Sequence, residues 1–212
     1  MKKLAPVYFA LLLLLSATPS LLAEPETFAF DRNHSLIGFR IRHFVTKVEG
    51  RFRDYTGTIV LDRQNPSASK VDLTIQAASI DTASENRDKD LRSANFFDVE
   101  KYPTITFKST KVEPKGKDTY LVTGDFTMHG VTKPLAVTVH HGGFAKAGKM
   151  EKAGFEAAFP LDRKEYGISW NRAVDQGGFM LGDEVEINIQ VEANKQVPED
   201  QKPAAPAPKT GG

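Results

Sequence analysis

Apolar and polar side chains alternate one for one along most of this 212-residue chain, and few folds accept that pattern. "SLIGFRIRH" puts Ile37, Phe39, Ile41 and His43 on one face and Gly38, Arg40 and Arg42 on the other. "KVDLTIQ" aligns Val71, Leu73 and Ile75, and "TITFKST" aligns Ile105 and Phe107. The same phase returns in Tyr120, Val122, Phe126 and Met128, then in Leu135, Val137 and Val139. Phe155 pairs with Phe159, and Val185, Ile187, Ile189 and Val191 line up near the end. A two-residue period belongs to a strand, and one dry face with one wet face belongs to an antiparallel sheet. Turn-rich stretches such as "RQNPSAS", "EPKGKD", "HGVTKP" and "KAGKMEKAG" separate the strands. With "TFAFD" and "RFRDYTGTIVLD" there are roughly eight, which implies a barrel or a sandwich.

The two ends lie outside this pattern. Residues 1–23 carry Lys2 and Lys3, an apolar run from Val7 through Leu15, and Ala23 at a cut site. That order is the order of a cleaved secretory leader. The run falls short of the about 20 apolar residues a bilayer crossing takes, so no stable membrane span is expected. Residues 195–212 are mostly Pro, Ala, Lys and Gly, too poor in apolar surface to offset their ordering entropy. Residues 24–194 fit one domain. Lys+Arg number 28 and Asp+Glu 27, and losing Lys2 and Lys3 with the leader turns a net +1 into −1. No overall surplus exists to hold nucleic acid or an anionic membrane. Without a single cysteine, an exported chain has no disulfide framework, and thiolate metal sites and cysteine nucleophiles are excluded.

One stretch breaks the alternation. Ser84 to Ala94 reads as a helix, with Ser84 as N-cap and acid-first pairs Glu85–Lys89 and Asp88–Arg92. Its charges admit two readings: a solvated face stapled by weak surface pairs, or Arg87 or Arg92 facing an opening to hold a polar head group. Phe96 and Phe97 follow, one expected in the core and the other at a cavity mouth. A lid that is polar outside and apolar inside fits both halves of the segment.

Catalytic patterns are weak. His140 and His141 are strand neighbours whose side chains diverge, and His129 lies in the "HGVTKP" turn. Three convergent metal ligands are not legible from spacing. Ser35 beside His34 faces the opposite way, and no phosphate loop or nucleophile elbow occurs. No cofactor is expected. Tyr166 and Trp170, in a Gly-rich crossing, either flank a second end of the tube or plug the core beneath a loop.

Several long motifs in order resemble the YceI-like family of exported polyisoprenoid-binding proteins. They are "HSLIGFRIRHF", "GRFRDYTGTIVLD", "IDTASENRDKDLRSANFFDVEKYPTITFKST", "YLVTGDFTMHGVTKPLAVTV" and "LDRKEYGISWN", spread over residues 26–193. The resemblance implies an all-β fold, an eight-stranded antiparallel lipocalin-like barrel with a short helical segment. It also implies a periplasmic location and an isoprenoid lipid as partner, of the quinone or polyprenyl phosphate class. A homodimer is compatible with it. Eight strands make a bore that side chains fill or that holds one small guest. The expected ligand-binding set is Phe39, Ile41, Val71, Leu73, Ile75, Phe97, Phe107, Phe126, Met128, Val137, Phe155 and Trp170. His43, Arg87 and Arg92 are the expected head-group contacts. The competing readings are a filled barrel acting as an interaction module and an enzyme acting on such lipids.

Overall fold

The computed structural model describes residues 24–173 and 177–197. The leader expected at 1–23 and nearly all of the expected tail lie outside the described residues.

Eleven strands and one α-helix form within them. In chain order they are β1 (Glu26–Phe30), β2 (Leu36–His43), β3 (Thr46–Phe52), β4 (Tyr55–Leu61), β5 (Lys70–Gln76), β6 (Ile80–Asp81), α1 (Glu85–Arg92), β7 (Thr104–Gly116), β8 (Thr119–Met128), β9 (Val131–Ala147), β10 (Met150–Asp162) and β11 (Leu181–Lys195). The hydrogen-bonded order runs β1-β4-β5-β7-β8-β9-β10-β11, and β11 returns to pair with β1. This closes the eight-stranded antiparallel barrel that the alternation and the family resemblance implied.

The three additional strands are continuations. β2, β3 and β6 extend β1, β4 and β5 toward one end, so three ribbons are each interrupted once. β11 spans both levels: Leu181 to Gln190 pair with β2, and Ala193 to Lys195 pair with β1. The break between β1 and β2 is stitched back to that strand. Asp31 N–H donates to the Glu192 carbonyl (2.8 Å) and the Ser35 hydroxyl to the same oxygen (3.1 Å). Tyr55 O–H donates to the Ser35 carbonyl (2.9 Å). Ser35 is thus a structural cross-link.

Inward alternation fills one part of the bore. Phe28, fully buried, packs with Ile59, Ala153, Val191 and Ala193 where β1 lies between β4 and β11. Around Ile37, Ile80, Phe96, Ile105 and Tyr166 a second cluster forms at the α1 end. Deleting a buried Phe of this kind costs about 3–5 kcal/mol.

The charged face of α1 is largely solvated, as one reading of the sequence expected, but it is not stapled by pairs within the helix. Among the described residues neither Glu85–Lys89 nor Asp88–Arg92 forms a pair, and Ser84 makes no side-chain cap bond. Asp88 is buried and accepts from Thr82 N–H (2.9 Å) and Thr82 O–H (2.5 Å). Arg87 donates Nε to Thr82 Oγ1 and Nη2 to the Thr82 carbonyl, both at 2.7 Å. Arg92 donates to the carbonyls of Ala78 (2.8 Å) and Ile80 (2.9 Å). The reason lies in the sheet. β6 pairs with β3 alone, so its outer edge leaves backbone groups that need side-chain partners. Residues 85–103 fill the gap between β6 and β7, with Ala77 N–H bonded to the Pro103 carbonyl (2.9 Å).

Two outcomes follow for stability. Asp88→Ala orphans two buried Thr82 donors and lowers unfolding free energy in urea by about 2–3 kcal/mol, whereas Glu85→Ala stays within about 0.5 kcal/mol. His141 lies against Phe144 and Phe155, and its Nε2 is buried without a partner among the described residues. Burial holds its pKa below the ordinary value. The unfolded chain therefore takes the proton more readily, and stability is lost as pH falls through about 6.5. The urea midpoint drops between pH 7.5 and 5.5 (about one pH unit either side of that value), and His141→Phe flattens the drop.

Candidate functional site

The inward faces enclose an apolar cavity of about 380 Å³. That size lies within the usual range for small-molecule sites, about 300–1,000 Å³. Of the residues expected to bind a guest, Phe39, Ile41, His43, Val71, Leu73, Ile75, Arg87, Phe97, Phe107, Phe126, Met128, Val137, Phe155 and Trp170 border it. Arg92 does not. Its guanidinium is spent on the Ala78 and Ile80 carbonyls, so a head-group role for it is replaced by clamping α1 to the wall. Arg87 reaches the border with much of its guanidinium already committed to Thr82.

A recurring local device shapes the bore. Phe39 lies over Gly50, its partner across β2 and β3, and a Cβ there would collide with the ring. Phe30 lies over Gly57, where an added Cβ would come within 2.5 Å of the ring, and Phe107 lies over Gly124 at 2.7 Å. Glycine inside a strand usually weakens it, and a close approach by another group is a common reason for it. Here each glycine leaves a trough in which a ring lies flat along the wall. Rings held this way line the cavity without crossing it.

Polar groups on the lining are unevenly placed. His43, Thr82, Arg87, Asp90 and Arg163 border the cavity around α1 and the start of β11. Elsewhere the polar side chains are Ser69, Tyr120 and the exposed Glu156. The result is an apolar tube with one polar end. Phe96 and Phe97 both border it: Phe96 is buried against Trp170 (ring centroids 5.2 Å), and Phe97 meets Phe52 edge-on (5.8 Å). Trp170 therefore stands at the α1 end, not at an opposite one. Tyr166 is buried, edge-on to Phe126 (5.3 Å), and belongs to the core. His129 is a turn residue with φ +52°, and its Nδ1 donates to the Tyr166 carbonyl (3.1 Å).

Arg163 is the functional neighbour that periodicity missed. It is buried and donates to three carbonyls, those of Gly182 (2.9 Å), Ile168 (2.8 Å) and Trp170 (2.8 Å). Burial lowers its pKa while the Asp183 carboxylate, 3.5 Å away, acts in the opposite sense. It fixes the crossing that delivers Trp170 and Met180 to the lining. Its signal was its place in "LDRKEYGISWN", a motif rather than a period.

Asp31, His34 and Glu192 also converge, though no spacing announced them. Lys152 lies among them, its ammonium 2.5 Å from Glu192 and 3.4 Å from Asp31. A hydrogen bond from His34 leads the effects that hold the Asp31 carboxyl well below the usual range. With Lys152 bridging both carboxylates and His34 beside them, the cluster works as an ion-pair network at the β1–β2 corner.

Residues 28–193 match the sequence pattern of the YceI-like domain. The chain is 39% identical over 192 residues to protein YceI of Salmonella arizonae, covering 89% of this chain and 96% of that one. The crystal structure of a Campylobacter jejuni YceI protein superposes with a TM-score of 0.62 at 32% identity, over 72% of this chain and 88% of that one. A polyisoprenoid-binding domain from Saccharophagus degradans, implicated in plant cell wall breakdown, superposes at 0.61 with 12% identity, over 80% and 98%. The closed barrel and the sequence match agree, and the chain belongs to the YceI-like family.

Proposed function

We propose that this protein binds a long-chain isoprenoid lipid, of the quinone or polyprenyl phosphate class, inside the barrel and carries or stores it in the periplasm. The observation that carries this reading is the apolar tube with most of its polar lining groups at one end. A guest with a long hydrocarbon tail and a small polar head matches that distribution. Burial supplies about 0.8 kcal/mol per CH₂, hence several kcal/mol for two isoprene units, before the cost of ordering the chain. The polyisoprenoid-binding neighbour of the same fold supports the ligand class, and the leader-like residues 1–23 support export. Nothing in the reading requires a catalytic step: the protein's contribution is desolvated space and a polar collar.

Lipids extracted from the purified protein and examined by mass spectrometry will contain an enriched prenyl species; an extract matching bulk membrane lipid counts against the carrier role. Phe126→Glu places a charge in the tube and abolishes prenyl binding. Gly57→Ala drives the Phe30 ring out of its trough into the bore. Farnesol affinity then falls by about tenfold, the equivalent of roughly two lost CH₂ contacts.

A further inference from the structure

The tip of the β2–β3 hairpin has unusual chemistry for its geometry. His43 pairs with Thr46, leaving Phe44 and Val45 as a two-residue loop, and Phe44 holds φ +49°. A positive φ at the first loop residue favours Gly or Asn there, because it is costly for bulky residues, and the tip faces water. Here Phe44 is 42% exposed and Val45 is 98% exposed. Phe44 N–H donates to the Met180 carbonyl (2.8 Å), which brings Phe179, 64% exposed, beside the tip. The exposed apolar groups are thus contiguous. They adjoin the lumen, since His43 packs edge-on against Phe44 (4.7 Å) and both His43 and Met180 border the cavity.

We propose that Phe44, Val45 and Phe179 form a docking rim that inserts into the surface of a lipid bilayer, setting the polar end of the tube against the membrane. The proposal rests on the lipid-carrier reading, because a carrier must exchange its cargo with a membrane. Continuity with the lumen favours a bilayer over other occupants. Charge favours it as well. Arg42 and Arg172 flank the rim, and neither has a carboxylate partner among the described residues; the Arg172 carbonyl accepts from Met180 N–H. Lys164, 5.8 Å from the Phe179 ring, is paired with the Asp183 carboxylate (2.8 Å) and adds no free charge to the rim. The chain as a whole has almost no net charge. Contact therefore depends on apolar insertion, with the cations addressing phosphates only once the rim is in place. Phe144, exposed elsewhere on the barrel, differs: the Arg63 guanidinium covers its ring at 3.8 Å.

The test uses the purified full-length protein with vesicles of phosphatidylethanolamine and phosphatidylglycerol, read by flotation. In parallel, farnesol binding is read by quenching of Trp170, the chain's single tryptophan. In F44N/V45G asparagine, which tolerates a positive φ, takes the place of Phe44, and glycine accepts the backbone of Val45, so folding is retained. The expected result is that the bound fraction falls about tenfold in F44N/V45G and in Phe179→Ser while farnesol binding is unchanged. The proposal is overturned if the unsubstituted protein does not float, or if the variants float equally well. It is also overturned if F44N/V45G instead dissolves a dimer that never binds vesicles, which assigns the rim to a second copy. Vesicle binding that depends on the rim, without farnesol binding, upholds the rim and removes the carrier reading.

Discussion

β11 is hydrogen-bonded to β10 along one edge and to both β1 and β2 along the other, and the interior exists because of that second edge. An open sheet of these strands would expose two unpaired edges and leave its apolar face needing a cover. Closure removes the edges and turns that face into an interior. The chain has no disulfide with which to hold the ring, so the ladder and the side chains beneath it do so alone. The corner at Asp31–Ser35 lets one strand serve two partners in succession. Its tie to Glu192 keeps the two levels in line.

Polar side chains near the α1 end follow a second rule. Asp88, Arg87, Arg92 and Arg163 each satisfy backbone groups that the sheet leaves unpaired. A charge committed in this way organises the wall and leaves the tube apolar. It also explains how a polar helix can seal a greasy space: Arg87, Asp88 and Arg92 turn onto the backbone around β6, while Leu91 and the Phe96 and Phe97 that follow turn inward.

The wall was legible in the sequence because period-two alternation reports which face a strand buries. Ile37, Phe39 and Ile41, or Val71, Leu73 and Ile75, border the cavity as that phase requires. The three ribbon breaks were harder to see, since Arg53–Asp54 resembles any polar pair until its neighbours are known. The helix was legible, but its charge partners were not. An acid-first spacing of four residues says that two groups can meet, not that they prefer each other to an unpaired carbonyl nearby. The Phe-over-Gly troughs escaped because they join residues on different ribbons, such as Phe30 and Gly57. Arg163 escaped because a buried guanidinium has no periodic signature. The convergence of Asp31, His34 and Glu192 depends on closure, which brings the two ends of the domain together.

The ring of backbone hydrogen bonds is not equally complete at both levels. Between β6 and β7 the wall is made of packed side chains from residues 85–103, not of a ladder. Side-chain packing yields in small steps, whereas a ladder yields by breaking. The stave between β6 and β7 therefore rests on packing, and a change in girth at that level falls on residues 85–103 before it falls on any strand pairing.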